Sequence, residues 1–266
     1  MAKHIVDGHR MRKRFGQNFL SDPNIISQIT FAIRPKEGQH IVEIGPGQGA
    51  ITEDMVASGA TVTAIELDRD LIPWLKVKFE RNANFSILNQ DALKTDYAEI
   101  AAGKQVRVVG NLPYNISTPI IFHLLEQAEH IEDMHFMLQK EVVDRMAAGP
   151  GDNNYGRLSV MTQYGCEVDG LFVVPPESFN PPPKVDSAIV RLRPRKEKLA
   201  LDSHEYFEHI VREAFSQRRK TLKNTLKKII KPLGQPDLGV DLSLRPENLS
   251  VEDYVNISNT LYRLSK

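Results

Sequence analysis

The chain has 266 residues, 41% hydrophobic and 26% charged, with 34 basic against 34 acidic side chains and a formal net charge of zero. That length supports one large or two modest domains with a real core. A single cysteine, Cys166, excludes an intramolecular disulfide, no Cys/His cluster has zinc-site spacing, and no run approaches the ~18 apolar residues of a membrane span, so a soluble, cytoplasmic protein without metal is expected.

The neutral total hides an uneven distribution. The N-terminal arm carries Lys3, Arg10, Arg12, Lys13 and Arg14 and lacks the apolar core of a signal peptide. Residues 41–100 carry ten acidic and five basic side chains, whereas residues 210–231 carry Arg212, Arg218, Arg219, Lys220, Lys223, Lys227, Lys228 and Lys231 against Glu213 alone. Basic arms around an acidic core suit a phosphate-bearing partner, although a solvated helix face has the same composition.

In chain order, His40–Gly45 is a predicted strand and Gly45-Pro46-Gly47-Gln48-Gly49 a glycine loop, with a helix over about Ala50–Ser58. Thr61–Leu67 is a second strand ending at the acid Glu66, followed by a helix over about Asp70–Arg81, a third strand Asn84–Leu88 with Asp91 just past it, and a fourth strand Val106–Gly110. Alternation at this spacing predicts a doubly wound, mostly parallel α/β sheet. A helix over about Thr118–Gln127 and a strand Met134–Leu138 continue it, a proline-rich connection runs from Val173 to Pro183, and Ser187–Leu192 is the last predicted strand. From about residue 200 the pattern is helical only, with Phe207, Ile210, Val211, Ala214 and Phe215 and then Leu222, Leu226, Ile229 and Ile230 at helical spacing, and Ser250-Val251-Glu252-Asp253 has the form of a capping box before a final helix. The expected division is therefore a catalytic domain with its basic arm at 1–198 and a small all-helical domain at 199–266.

The most informative residues are Asn111-Leu112-Pro113-Tyr114, at the end of the fourth strand. Ligands of open α/β sheets bind at such carboxyl ends. The proline keeps Leu112 extended, so backbone carbonyls can face a ligand. An exocyclic base amine is a poor nucleophile because its lone pair is delocalised. An Asn111 oxygen and a backbone carbonyl accepting from its N–H groups would favour the pyramidal nitrogen that attacks. Tyr114 offers a stacking face. A simple Asn-Pro turn is the plainer alternative.

Gly45 to Ala50 fits G-x-G-x-x-G/A, and Glu66 lies at the end of the next strand, where it can accept from ribose hydroxyls. The glycine loop suits a dinucleotide and S-adenosylmethionine equally; Asn111–Tyr114, for which hydride transfer has no use, favours the latter. Asp91 is a second acceptor, or alternatively a helix N-cap. Cys166 is expected to be a small buried apolar residue.

Several co-ordered motifs carry a resemblance over essentially the whole chain: Lys13-Arg14-Phe15-Gly16-Gln17-Asn18-Phe19-Leu20, Glu43-Ile44-Gly45-Pro46-Gly47, Glu66-Leu67-Asp68, Gln90-Asp91-Ala92, Gly110–Ser117 and Phe179–Ser187. Together they resemble the ribosomal RNA adenine dimethyltransferase family, and within it the bacterial small-subunit enzymes. The resemblance implies a Rossmann-like methyltransferase sheet with a C-terminal helical domain. It also implies S-adenosylmethionine as cofactor, leaving S-adenosylhomocysteine, and dimethylation of N6 of two adjacent adenosines in a hairpin loop near the 3′ end of 16S rRNA in the small subunit or its precursor. Carried over by motif, Asn18, Leu20, Gly45, Gly47, Glu66, Asp91 and Asn111 would hold the cofactor. Asn111, Leu112, Pro113, Tyr114 and Phe179 would hold the adenine. Arg12, Lys13, Arg14, Arg218, Arg219, Lys220, Lys223 and Lys227 would meet RNA. A monomer suffices. The alternatives are a large-subunit dimethylase of the macrolide-resistance type and a factor needed chiefly for binding during ribosome assembly; a DNA adenine methyltransferase would place proline where Leu112 stands.

Overall fold

The computed structural model describes residues 18–266 and, before them, the backbone of two paired strands, Ile5–Val6 and His9–Arg10. The chain forms two compact units: Met1–Val143 with Asp169–Pro194, and Asp144–Val168 with Arg195–Lys266.

Seven strands make one sheet. They are β1 (His40–Ile44), β2 (Thr61–Ile65), β3 (Phe85–Leu88), β4 (Val106–Asn111), β5 (Ile131–Gln139), β6 (Cys166–Val174) and β7 (Ser187–Pro194), in the order β3-β2-β1-β4-β5-β7-β6. Strands β1 to β5 pair in parallel, and β7 runs antiparallel to β5. The parallel strands are nearly continuous apolar runs because both faces are covered, as Val42, Val62, Val106 and Val108 illustrate with no exposed surface. The strand order reverses between β1 and β4, and at such a switch point the carboxyl ends leave a crevice.

Gly110 sits in the ladder beside that crevice. A Cβ there would lie 2.5 Å from the Ile44 carbonyl oxygen, so only glycine lets β1 and β4 come this close.

The expected strands are all present, and the helices α2 (Thr52–Ala57), α3 (Leu71–Lys78) and α5 (Ser117–Glu126) match the predicted ones to within three residues at either end. A further helix, α1 (Pro23–Ile33), precedes β1; the Asp22 side chain accepts from Asn24 N at 2.8 Å and Pro23 opens the first turn. It buries Ile25, Ile29 and Ile33 against a core containing Ile41, Val109 and Met137. A short helix, α4 (Tyr97–Ala101), precedes β4. The connection expected around Val173 is instead the end of β6, whose polar Glu167-Val168-Asp169-Gly170 stretch masks the strand pattern.

The second unit differs from the expected 199–266 domain. Its second segment starts at Arg195, four residues before the predicted boundary, and it also includes Asp144–Val168, which the sequence pattern places with the sheet domain. That stretch contains the second half of α6 (Lys140–Ala147) and all of α7 (Arg157–Gly165), and Tyr155, Val160 and Tyr164 share a core with Phe207, Ile210, Leu222 and Tyr254. The rest of the unit is α8 (His204–Ala214), the short helices α9 (Leu222–Thr225) and α10 (Lys227–Ile230), and α11 (Val251–Leu264). The Ser250–Asp253 capping box is present: Asp253 N donates to Ser250 Oγ at 3.1 Å, and Ser250 N to Asp253 Oδ2 at 2.8 Å. Cys166 is fully buried, and burial pushes its thiol up to about 12, so it stays protonated and inert.

Candidate active site

A cavity of about 170 Å³ lies at the carboxyl ends of β1, β2 and β4 in the first unit. Every residue predicted to bind cofactor or adenine lines it: Asn18, Leu20, Gly45, Gly47, Glu66, Asp91, Asn111, Leu112, Pro113, Tyr114 and Phe179. Arg12, Lys13 and Arg14 lie outside the described residues.

The glycine loop forms one wall. Gly45 N donates to Ile65 O at 2.9 Å, extending the β1–β2 ladder, and Gly45 and Gly47 adopt φ of +66° and +57°, a region that side chains strain to enter. A Cβ on Gly47 would lie 3.1 Å from the Phe19 ring, so the bare loop keeps Phe19 close. Phe19 and Leu20 pair with Asn180 and Phe179, and Ser21 N donates to Ser178 O at 2.9 Å. This ribbon brings Asn18, Leu20 and Phe179 to the cavity. The Phe179 ring is buried in the core with Ile25 and Val174, which limits the face it can offer an adenine.

Glu66, at the end of β2, accepts from Asp68 N at 2.8 Å. Burial pushes its carboxyl up to about 7, against the pull of that hydrogen bond. Asp91 both caps a helix and faces the cavity. Its Oδ1 accepts from Leu93 N at 3.0 Å and caps the short helix Ala92–Lys94, while Oδ2, with no partner among the described residues, is free to accept from a ligand. A buried carboxylate able to accept from ribose hydroxyls, a second acceptor and a glycine cradle fit S-adenosylmethionine.

Glu43 is a site residue that the sequence reading misses. It is 2% exposed on β1, lines the cavity, and accepts from Thr52 Oγ1 at 2.5 Å. Burial pushes it up to about 7, and the negative charge of Glu66 adds to the shift. The available signal is a lone acid inside Ile41-Val42-Glu43-Ile44.

Asn111 ends β4. Its Nδ2 donates to the Asn18 carbonyl at 3.4 Å, which turns Oδ1 away as a free acceptor. Leu112 N donates to Met137 O at 3.2 Å, the last rung towards β5, and Leu112 anchors the motif by burying its side chain. Tyr114 is half-buried, and its hydroxyl lies 2.8 Å from the Oγ of the fully buried Ser187 at the start of β7. That bond fixes the ring plane beside Asn111. Ser187→Ala is expected to cost about 1 kcal/mol of ordering, a roughly five-fold loss in kcat. Tyr114→Phe should cost the same and the double variant no more, the coupling a shared hydrogen bond requires; additive losses would show the contact to be irrelevant.

In the second unit Arg218, Arg219, Lys220, Lys223 and Lys227 are all exposed. Arg218 Nη2 donates to the Asn153 carbonyl, whereas the other four side chains have no ion-pair partner among the described residues. Among the described residues there is no His/Cys/Asp/Glu group able to hold a metal and no helix long and apolar enough to cross a membrane.

A parallel sheet with an antiparallel β7, a glycine loop after its first strand, a buried acid at the end of the next, and an amide beside an aromatic ring are the features of a Rossmann-like methyltransferase that uses S-adenosylmethionine. The model of ribosomal RNA adenine dimethylase matches residues 8–263, and the chain belongs to that family. It is 57% identical over 259 residues to ribosomal RNA small subunit methyltransferase A of Saccharophagus degradans, covering 97% of each chain, and 58% identical to the Pseudomonas aeruginosa protein of that name, covering 96% of each. Among solved structures it is similar to a dimethyladenosine transferase from Plasmodium falciparum, with TM-score 0.78, 28% identity and coverage of 93% of this chain and 98% of that one. It is also similar to the 23S rRNA methyltransferase ErmE, with TM-score 0.71, 27% identity and coverage of 94% and 100%.

Proposed function

We propose that this protein dimethylates N6 of two adjacent adenosines in a hairpin loop near the 3′ end of 16S rRNA, within the small ribosomal subunit or its precursor. The observation that carries the reading is the oriented Asn111 amide beside Tyr114. Identity of 55–58% to relatives named for the small subunit, against 27% to ErmE, favours the small subunit over the large.

When bound, S-adenosylmethionine supplies a methyl group on a positively charged sulfur, already activated for displacement. Glu66 and Asp91 hold the nucleoside, and the Gly45–Gly49 loop admits it closely. Asn111 Oδ1 and the Leu112 carbonyl accept from the target amine, so its lone pair leaves conjugation and faces the methyl carbon. Tyr114 holds the base by stacking, worth ~1–3 kcal/mol. The alkylated nitrogen becomes acidic and releases its proton to water, so no strong base is required. A second transfer to the same nitrogen needs room for one methyl beside Asn111. A loop adenosine suits this site because it is already unstacked, whereas a paired one costs a few kcal/mol to extrude.

Because Glu66 binds the ribose best as a carboxylate, cofactor affinity should fall below about pH 7, by up to one log unit per pH unit. Titration calorimetry from pH 5.5 to 8.5 reads this directly, and Glu66→Gln should flatten the profile; a flat wild-type profile would contradict the assignment. The exposed cations would position phosphates. Replacing Lys223 and Lys227 with alanine should weaken RNA binding and reduce the slope of log affinity against log salt by about 1.4–1.8; an unchanged slope would leave the segment a solvated helix face.

The function is tested by methyl transfer from labelled S-adenosylmethionine to undermethylated small subunits, with large subunits, naked RNA and DNA alongside. Label confined to small-subunit RNA is expected. Label in large subunits or DNA would reassign the substrate, and binding without label would favour an assembly role.

A further inference from the structure

At the edge of the sheet opposite the active site, a recess of about 710 Å³ opens beside the amino-terminal ends of β1, β4 and β5 and the last turns of α1. It lies wholly within the first unit, has the size of a small-molecule site, and shares no lining residue with the active-site cavity.

Two of its cations are committed to structure. Arg107 donates to both oxygens of Asp133 at 2.8 Å, and Arg191 donates to Asp169 Oδ2 at 3.0 Å. Arg34 and Lys36 are exposed and have no carboxylate partner among the described residues; the unpaired Glu132 offsets one of these two charges. Phe31 stands 72% exposed on the same wall, with the Arg34 guanidinium 5.3 Å from its ring centroid, and Phe172 is half-buried nearby in the lining.

The recess also contains a buried polar group that the fold does not satisfy. His135 is 3% exposed, and neither ring nitrogen has a hydrogen-bond partner among the described residues. The nearest carboxylate oxygen, Asp133 Oδ1, is 3.8 Å from Nδ1, beyond hydrogen-bond range. Burial, with Arg107 and Arg191 against Asp133, pushes the imidazole down to about 4, so at neutral pH it carries one N–H donor and one bare nitrogen acceptor.

We propose that this recess binds a nucleotide, with its phosphate on Arg34 and Lys36, its base against Phe31 and Phe172, and the base edge meeting His135. A simple anion would use the cations but neither the exposed ring nor the donor–acceptor pair. An apolar ligand would leave His135 unsatisfied. The same chemistry is presented by a free mononucleotide and by an unpaired nucleotide of RNA.

The test uses the full chain saturated with S-adenosylhomocysteine, so that the cofactor part of the Asn111 cavity is filled, and Asn111→Ala reports any binding in its adenine part. AMP, GMP, CMP, UMP, inorganic phosphate and a single-stranded hexanucleotide are titrated by calorimetry, and the His135 ring nitrogens are followed by NMR. Nucleotide binding should move those resonances and be at least ten-fold tighter than phosphate binding. It should weaken at least ten-fold in Phe31→Ala and in Arg34→Ala, two exposed positions, while Asn111→Ala leaves it unchanged. Such binding by the hexanucleotide alone assigns the source to RNA, and by mononucleotides assigns it to a free ligand. The proposal is overturned if nothing binds at millimolar concentration, if phosphate alone binds as tightly, or if the two variants bind like the parent. No readout depends on methyl transfer, so failure here leaves the active-site reading untouched.

Discussion

Asn111→Ala is expected to lower kcat by about 10²–10³-fold, the loss typical of removing one oriented group that stabilises developing charge. The amide holds the Asn18 carbonyl through Nδ2 and, in the proposed mechanism, would present Oδ1 to the target amine. Without it the amine keeps its conjugation, and the barrier rises by about 3–4 kcal/mol. Because Glu66 and the glycine loop remain, cofactor affinity should change less than ten-fold. Single-turnover transfer together with calorimetric titration separates the two effects. A variant whose kcat stays within ten-fold of the parent would remove Asn111 from the chemistry.

Gly110→Ala is expected to be the most damaging small substitution in the sheet. The new methyl would stand 2.5 Å from the Ile44 backbone oxygen, and backbone cannot rotate away as a side chain can. The strands would have to separate immediately beside Gly45 and Asn111. Overpacking of this kind costs about 1–3 kcal/mol, a fall of roughly 2–12 °C in Tm for a unit of this size, with activity lost in parallel because both site walls hang on these strands. Gly149→Ala, where an added Cβ meets nothing within 4 Å, is the control and should melt like the parent. Equal melting of the two variants would show that β1 and β4 can yield without cost.

The site is legible in the sequence because its chemistry resides in residue type and local order. A glycine loop after a strand, an acid ending the next and Asn-Leu-Pro-Tyr ending the fourth each declare a role, and the parallel fold brings all three to one edge. What stays hidden depends on distant pairing. Ser187 meets Tyr114 across 73 residues only because β7 lies against β5. Glu43 looks like one residue of a strand motif until its burial beside Glu66 is visible. The stretch Asp144–Val168 shows no local sign of which core it joins, since Val160 and Tyr164 would be apolar helix residues in either unit. For α1 the signal is present, in Asp22-Pro23 and in isoleucines four residues apart, and the motif reading passes over it. His135 looks like one polar residue in a strand; its unsatisfied nitrogens follow from the Arg107–Asp133 pair beside it.

The measurement that bears most directly on the central claim is mass spectrometry of small-subunit RNA fragments after reaction of unmodified subunits with this protein and S-adenosylmethionine. Two neighbouring adenosines, each heavier by two methyl groups, in a fragment from the 3′ end are predicted. A single methyl per adenosine, or modification elsewhere in the RNA with that fragment unchanged, would contradict the account.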